Sequence, residues 1–337
     1  MIIHFKRCFR FNFDTSKVEI VPISNEKDDF NSYLDELVHD IVMDKRSKKY
    51  MFPAEDTAVK KEISDALGGD IDGATMAAAK RLLKIEKKTQ DKIERLEREI
   101  QKGILLQALV EHNDTKIYII AKAEHLDFLN EEDNKKAKGL PIKKKVFKSF
   151  CGYLNTDDEP DYAMVGDSKT QISTYWWSDF LELAEEHSDT YNTQVSFDAL
   201  EKKVFNKIKK TSPSDALCLR NATIQYFRAN KEFVLEDYVR AIWVNYQPEN
   251  PALNMEKFSQ IVLELPEKED FDSRFKLRPE ELKKRIVTKV RLTAELSLEI
   301  RDNINWDNEV VAFTEMGEKY IKIKTDNGYD HFKKITQ

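Results

Sequence analysis

The stretch Gly103–Leu129, GILLQALVEHNDTKIYIIAKAEHLDFL, constrains this chain more than any other. Ile104, Leu105, Leu106, Ala108, Leu109 and Val110 form one apolar run, and Ile117, Tyr118, Ile119, Ile120, Ala121 and Ala123 form a second. His112-Asn113-Asp114-Thr115 lies between them, so the pair reads as a β-hairpin. The runs are nearly continuous rather than alternating, which is the pattern of strands buried on both faces. The N-terminal sheet is therefore expected to be built on this hairpin.

The flanking segments extend that expectation. Met1–Pro22 alternates imperfectly through Ile3, Phe5, Phe9, Phe11 and Phe13, then Val18 and Ile20, around Asp14-Thr15-Ser16-Lys17, and predicts a second hairpin in the same sheet. Phe30, Tyr33, Leu34, Leu37, Val38 and Ile41 recur at helical spacing and predict an amphipathic helix from about Asp28 to Met43. Pro53 with Glu55 and Asp56 marks another helix start. Ala74–Lys102 carries the longest helical signal, with acid-first pairs Asp91/Arg95 and Glu94/Arg98 and a flexible entry at Gly68-Gly69 and Gly73. Its apolar seam, Ile93, Leu96 and Ile100, is interrupted at Glu86 and Thr89, which favours packing on the sheet and leaves a short coiled coil as the alternative.

Asn134–Phe150 holds seven lysines and no acid, and Asp157, Asp158, Glu159 and Asp161 follow with Pro160. This charge reversal marks a domain boundary. Beyond it, Phe180, Leu181 and Leu183 belong to one helix, and Phe197, Leu200, Val204, Phe205 and Ile208 to the next, with Ser196 as N-cap. Ser212-Pro213-Ser214-Asp215 is a start signal for a helix through Phe227, and Leu235–Val244 and Asn254–Leu263 add two more. The tail returns to strand patterns at Leu296–Ile300, Val310–Phe313 and Tyr320–Ile323, with Met316-Gly317 and Asn327-Gly328 as turns. The expected fold class is α+β: a mostly antiparallel sheet with a long helix over residues 1–160, a helical domain over 161–272 and a β-rich segment over 273–337.

With 55 basic against 61 acidic residues the net charge is −6, so a protein basic everywhere is excluded and any nucleic-acid contact must be local. Cys8, Cys151 and Cys218 are far apart and form no Cys-x-x-Cys pair, as in a reduced cytosolic protein. The N-terminal stretch lacks the features of a signal peptide and no run reaches the length of a membrane span, so a cytoplasmic location is expected.

The opening IIHFKR, the segment SKKYMFPAEDTAVKKEI, the hairpin GILLQALVEHNDTKIYIIAKAEHL and the tail LSLEIRDNINWDNEV followed by KYIKIKT carry a family resemblance. In this order they resemble the bacterial 37-kDa nucleoid-associated proteins, with Trp306-Asp307 at the place of that family's Trp-Asp pair. The helical middle departs from the family, and Gly328-Tyr329-Asp330-His331 replaces its Pro-containing ending. The resemblance implies binding to chromosomal DNA, a nucleoid location and no catalytic residues. Relatives of such proteins also recur in phage-defence operons, which keeps open a defence or regulatory module that binds a protein partner or a nucleic-acid end.

Phosphate neutralisation needs clustered cations, and three clusters qualify. Lys135, Lys136, Lys138, Lys143, Lys144, Lys145 and Lys148 form the densest. Lys283, Lys284, Arg285, Lys289 and Arg291 form another without an acid, and Lys202, Lys203, Lys207, Lys209 and Lys210 lie on a helix with an apolar opposite face. Charge runs are usually solvated faces. Two clusters on one face would remove the objection of the acidic net charge. The expected partner is double-stranded DNA bound without sequence preference, with a homodimer or a protein partner also open.

Other constellations yield less. Trp176-Trp177 could stack on bases but reads better as a helix anchor, and Trp243 and Trp306 as core. Glu36 and His39 have di-metal spacing without the second copy that such a site needs, and His112 and His125 are isolated. Ile120-Ala121-Lys122 lacks the acid two residues before the lysine that a metal-dependent nuclease requires, which leaves a divergent nuclease as the weakest reading. No phosphate-binding Gly-x-x-x-x-Gly-Lys loop and no nucleophile elbow occur. No catalytic, metal or cofactor residue is assigned, and the expected activity is non-enzymatic.

Overall fold

A computed structural model describes the chain except for residues 25–27, 55, 94–99, 132–133, 143–146, 169–171, 283–287, 301–308, 326–328 and 333–337. The fold is α+β. In chain order the first part runs β1 (Ile2–Asn12), β2 (Lys17–Val21), α1 (Asp29–Val42), β3 (Lys48–Met51), α2 (Ala58–Leu67), α3 (Ile71–Ile93), β4 (Gly103–His112) and β5 (Thr115–Glu124). It continues with β6 (Leu126–Asn130), β7 (Lys135–Gly139), β8 (Phe147–Leu154), β9 (Pro160–Asp167), a helical turn Tyr175–Phe180 and β10 (Ala184–Glu185). Eight of these strands form one antiparallel sheet in the order β10-β3-β9-β8-β5-β4-β1-β2. The β4–β5 hairpin sits at its centre, as the sequence predicts.

Alternation explains why those two runs are continuous. Ile104, Leu106, Ala108, Val110, Ile117, Ile119, Ala121 and Ala123 pack on Tyr33, Leu34, Leu37, Val38 and Ile41 of α1. Leu105, Tyr118 and Ile120 face the other way, onto α2, α3 and Trp176. Successive strand residues point to opposite faces, so a strand with helices on both sides must be apolar at nearly every position. The helices begin where their caps allow. Asp28 accepts from the Asn31 N–H at 2.6 Å, and Thr57 from the Lys60 N–H at 3.3 Å. α2 thus starts after Thr57 rather than at Pro53, because Thr57 supplies the side-chain oxygen that the orphan N–H groups need. Gly73 lies inside α3 rather than before it.

The predicted boundary at Pro160 falls inside the sheet. Asn155 N–H donates to Glu159 O at 2.9 Å and Asp158 has φ of 61°, so the acidic run is the exposed turn of the β8–β9 hairpin. Trp176, Phe180, Leu181 and Leu183 also belong to the sheet's core. A second core begins with α4 (Asp189–Ala199), whose cap is Ser188; Ser196 lies buried within it and caps nothing. The helix continues through Leu200–Phe205 into α5 (Asn206–Thr211), followed by α6 (Pro213–Ala229), β11 (Glu232–Val234), α7 (Leu235–Val239), a turn Arg240–Val244, α8 (Met255–Leu263), α9 (Leu265–Glu269) and β12 (Arg274–Lys276). Phe275, Leu277 and Leu282 complete this core, so the helical unit reaches beyond residue 272.

Polar contacts join the two cores. Arg274, 2% exposed, donates to Arg46 O at 3.3 Å, Asp167 O at 3.2 Å and Glu232 at 3.2 Å. Lys48 lies 3.8 Å from Asp272, whose carboxyl is pushed up to about 6 by burial and only partly drawn back by Lys48 and the Asn192 amide. The tail forms two separate hairpins, β13 (Thr288–Arg291) with β14 (Ser297–Ile300) and β15 (Val310–Glu315) with β16 (Glu318–Ile323). Among the described residues the tail strands pair with one another and not with the large sheet. Among them, too, no helix is long and apolar enough to cross a membrane.

Candidate nucleic-acid interface

The first lysine cluster divides three ways. Lys135, Lys136 and Lys138 lie exposed on the β6–β7 ribbon, which pairs only with itself among the described residues. Asp127 lies opposite Lys138, at 3.5 Å, and Phe128 and Leu129 are exposed beside the lysines. Phe128 crosses Gly139: a Cβ there would come within 3.1 Å of the ring. Lys143, Lys144 and Lys145 fall outside the described residues.

Lys148 is a correction. It is 2% exposed, with Nζ 2.8 Å from Asp167 and 3.4 Å from Glu124, and its charge is spent inside the protein. The register of the sheet causes this. Lys122, Lys148 and Asp167 are neighbours across β5, β8 and β9, so they share the face that looks toward α3. On α3, Glu86 pairs with Lys122, both fully buried, and accepts a further bond from the Tyr175 hydroxyl at 3.3 Å. Ser173 donates to Asp167 at 3.0 Å. Among the described residues Glu86 Oε2 has no hydrogen-bond partner. This enclosed network of two lysines and three carboxylates also holds Lys122 of the nuclease reading. Lys122 there is bound to Glu86 rather than open to a substrate. Among the described residues no group of three or more His, Cys, Asp or Glu side chains is arranged to hold a metal.

The other two clusters meet. A cavity of about 550 Å³ is lined by Lys209 of α5, Arg220 of α6, and Lys289 and Arg291 of β13, with Glu201 and Ser214 on its wall. Lys209, Lys289 and Arg291 are exposed. Arg220 is held by Glu201, Lys289 reaches Glu299 at 3.3 Å, and Arg291 donates to the carbonyls of Thr293 and Ala294 at 3.0 and 3.1 Å. An exposed pair such as Lys289–Glu299 contributes little and yields readily to a phosphate. Pro213, Ser214, Ala216 and Leu217 bring the first turn of α6, the positive end of its dipole, to the same cavity.

Asp215 in that turn does not line the cavity. Its buried carboxyl would be raised by desolvation, but hydrogen bonds from Ser212 (2.6 Å), the Glu249 N–H (2.8 Å), Tyr246 (2.7 Å) and the Asn250 N–H (3.1 Å) bring it down to about 2. Those donors hold it ionised, so the turn keeps one negative charge near the cations of the cavity.

Lys283, Lys284 and Arg285 lie outside the described residues. Lys203 is engaged by Glu269 at 2.7 Å. Trp176 is buried and donates to Ser149 O at 3.2 Å, Trp177 packs 5.1 Å from Tyr50, and Trp243 is in the helical core, so none of them offers a stacking face. Trp306 is outside the described residues. His39 lies 4.0 Å from Asp40 on an exposed surface. Sequence reasoning missed Arg220, and no local signal marks it, since its direction follows from how α5 packs on α6. It also missed the buried network, whose signal was present: Lys122 stands inside an apolar run and Glu86 follows Leu82, Leu83 and Ile85 on α3. Compared with models of known protein families the sequence matches none, and a comparison with curated proteins likewise gives no match.

Proposed function

We propose that this protein is a non-enzymatic, sequence-tolerant DNA-binding protein that holds phosphates at the cavity between α5, α6 and β13, with the β6–β7 ribbon as a second contact. One observation carries the reading. Two basic patches about eighty residues apart in sequence, Lys209 and the Lys289/Arg291 pair, border a single concavity. Local convergence of this kind gives an acidic protein a site for a polyanion. The resemblance to the nucleoid-associated family supports the same ligand. Ammonium and guanidinium groups neutralise phosphates without reading sequence, which favours contact with the backbone.

The test is fluorescence anisotropy of a random duplex over a salt series, with the wild type and a Lys209→Ala/Lys289→Ala variant. The expected result is steep salt dependence in the wild type, and in the variant a weaker affinity with a salt slope reduced by roughly 1 to 2. Lys135→Ala/Lys136→Ala should add a smaller loss. The reading is overturned if the wild type fails to bind at low salt, or if the variant keeps both affinity and slope.

A further inference from the structure

The β15–β16 ribbon has no neighbour on either edge among the described residues. Its faces are open as well. Val311, Phe313, Tyr320, Ile321 and Ile323 are each between 41% and 44% exposed, with apolar residues on both sides. A lone two-stranded hairpin is marginal in water, and open apolar edges template another strand.

Hydrogen-bond direction and charge decide which strand that is. Lys324 N–H donates to Glu309 O at 2.8 Å, which fixes the even-numbered residues of β16 as those bonded to β15. Lys319, Ile321 and Ile323 therefore direct their backbone groups to the open edge. Two copies of β16 meeting antiparallel about Ile321 exchange bonds at Ile321 and set Glu318 of each copy opposite Lys324 of the other. The ends of this strand carry opposite charges, so it is complementary to itself at both ends. β15 is not: antiparallel self-pairing about Ala312 sets Glu309 opposite Glu315 twice. Pairing β15 of one copy with β16 of another leaves both outer edges open and does not close.

We infer that the outer edge of β16 is a dimerisation surface whose occupant is a second copy of this chain, forming a four-stranded β15-β16-β16-β15 sheet with Ile321 on the two-fold axis. This assignment stands on the ribbon alone and is independent of DNA binding.

The test uses the full chain, with light scattering and sedimentation across a dilution series. The wild type should have the mass of two chains at tens of micromolar. Glu318→Lys and Lys324→Glu, which each turn two attractive pairs into repulsive ones, should weaken the dimer about tenfold or more. The double variant Glu318→Lys/Lys324→Glu should recover the wild-type constant to within about threefold. Within one chain these two positions stand roughly 20 Å apart along an extended strand, so recovery can come only from another copy. Glu318 also accepts from the Tyr320 hydroxyl at 2.6 Å, a bond lost in Glu318→Lys and in the double variant but kept in Lys324→Glu, so it cannot produce the recovery. Ile321→Lys should abolish the dimer while the circular dichroism spectrum is kept. The inference is overturned by a single-chain mass at every concentration, by a dimer indifferent to Ile321→Lys, or by a double variant no tighter than the singles.

Discussion

The β4–β5 and β15–β16 hairpins share one local design and have opposite fates. Both turn on two residues of positive φ, Asn113-Asp114 at 49° and 60°, and Met316-Gly317 at 48° and 85°. Both carry apolar side chains on each face. In β4–β5 those side chains are almost fully buried between α1 on one side and α2 and α3 on the other. In β15–β16 they remain exposed. The difference teaches that a hairpin pattern states how a segment pairs with itself, while its neighbours decide whether the faces are core or surface. A hairpin that is apolar on both faces and covered by none of the described residues of its own chain is a candidate for contact with another.

The comparison can be broken most forcefully at the polar edge of the buried hairpin. Lys122→Met leaves Glu86 charged, buried and unpaired, and should lower the urea midpoint by the equivalent of ~3–5 kcal/mol. Adding Glu86→Leu should return most of that loss, since no uncompensated charge remains; a double variant as unstable as the single would show that the lysine stem, not the charge, matters. Next in size, Leu106→Ala should cost ~2–5 kcal/mol by opening a cavity under α1. The corresponding truncation in the exposed ribbon, Ile321→Ala, should stay within about 0.5 kcal/mol when measured in the dilute monomer. Equal losses at the two sites would erase the distinction. The smallest effect is at the turns. Met316, fully exposed at φ of 48°, occupies a left-handed position that asparagine tolerates better, so Met316→Asn should stabilise the ribbon by about 0.5 kcal/mol. Slower hydrogen exchange at the β16 amides would register it; unchanged exchange would mean the turn does not limit the ribbon's opening.

The basic clusters repeat the lesson with charge in place of hydrophobicity. Lys148 and Lys289 look alike in sequence, each within a lysine-rich stretch beside strand residues. One is buried against Asp167 and Glu124, while the other rims an open cavity. The register of β5, β8 and β9 set the first outcome, and the placement of β13 across a cavity from α5 and α6 set the second. Neither relation is local, so the count of lysines could not separate them. Arg220 was invisible for the same reason.

By itself the sequence determined what depends on neighbours along the chain. The central hairpin and its burial on two faces, the caps at Asp28 and Ser212, the Met316-Gly317 turn and the α+β class all follow from periodicity, side-chain oxygens and backbone freedom within a few residues. Only the tertiary structure decided what depends on residues far apart. It turned the acidic run at Asp157 into a hairpin turn rather than a domain boundary, buried Lys148, paired Glu86 with Lys122 and brought Lys209 to Lys289. The physical reason is range: local propensity acts over one or two turns of chain, whereas burial and charge pairing are settled where distant segments meet.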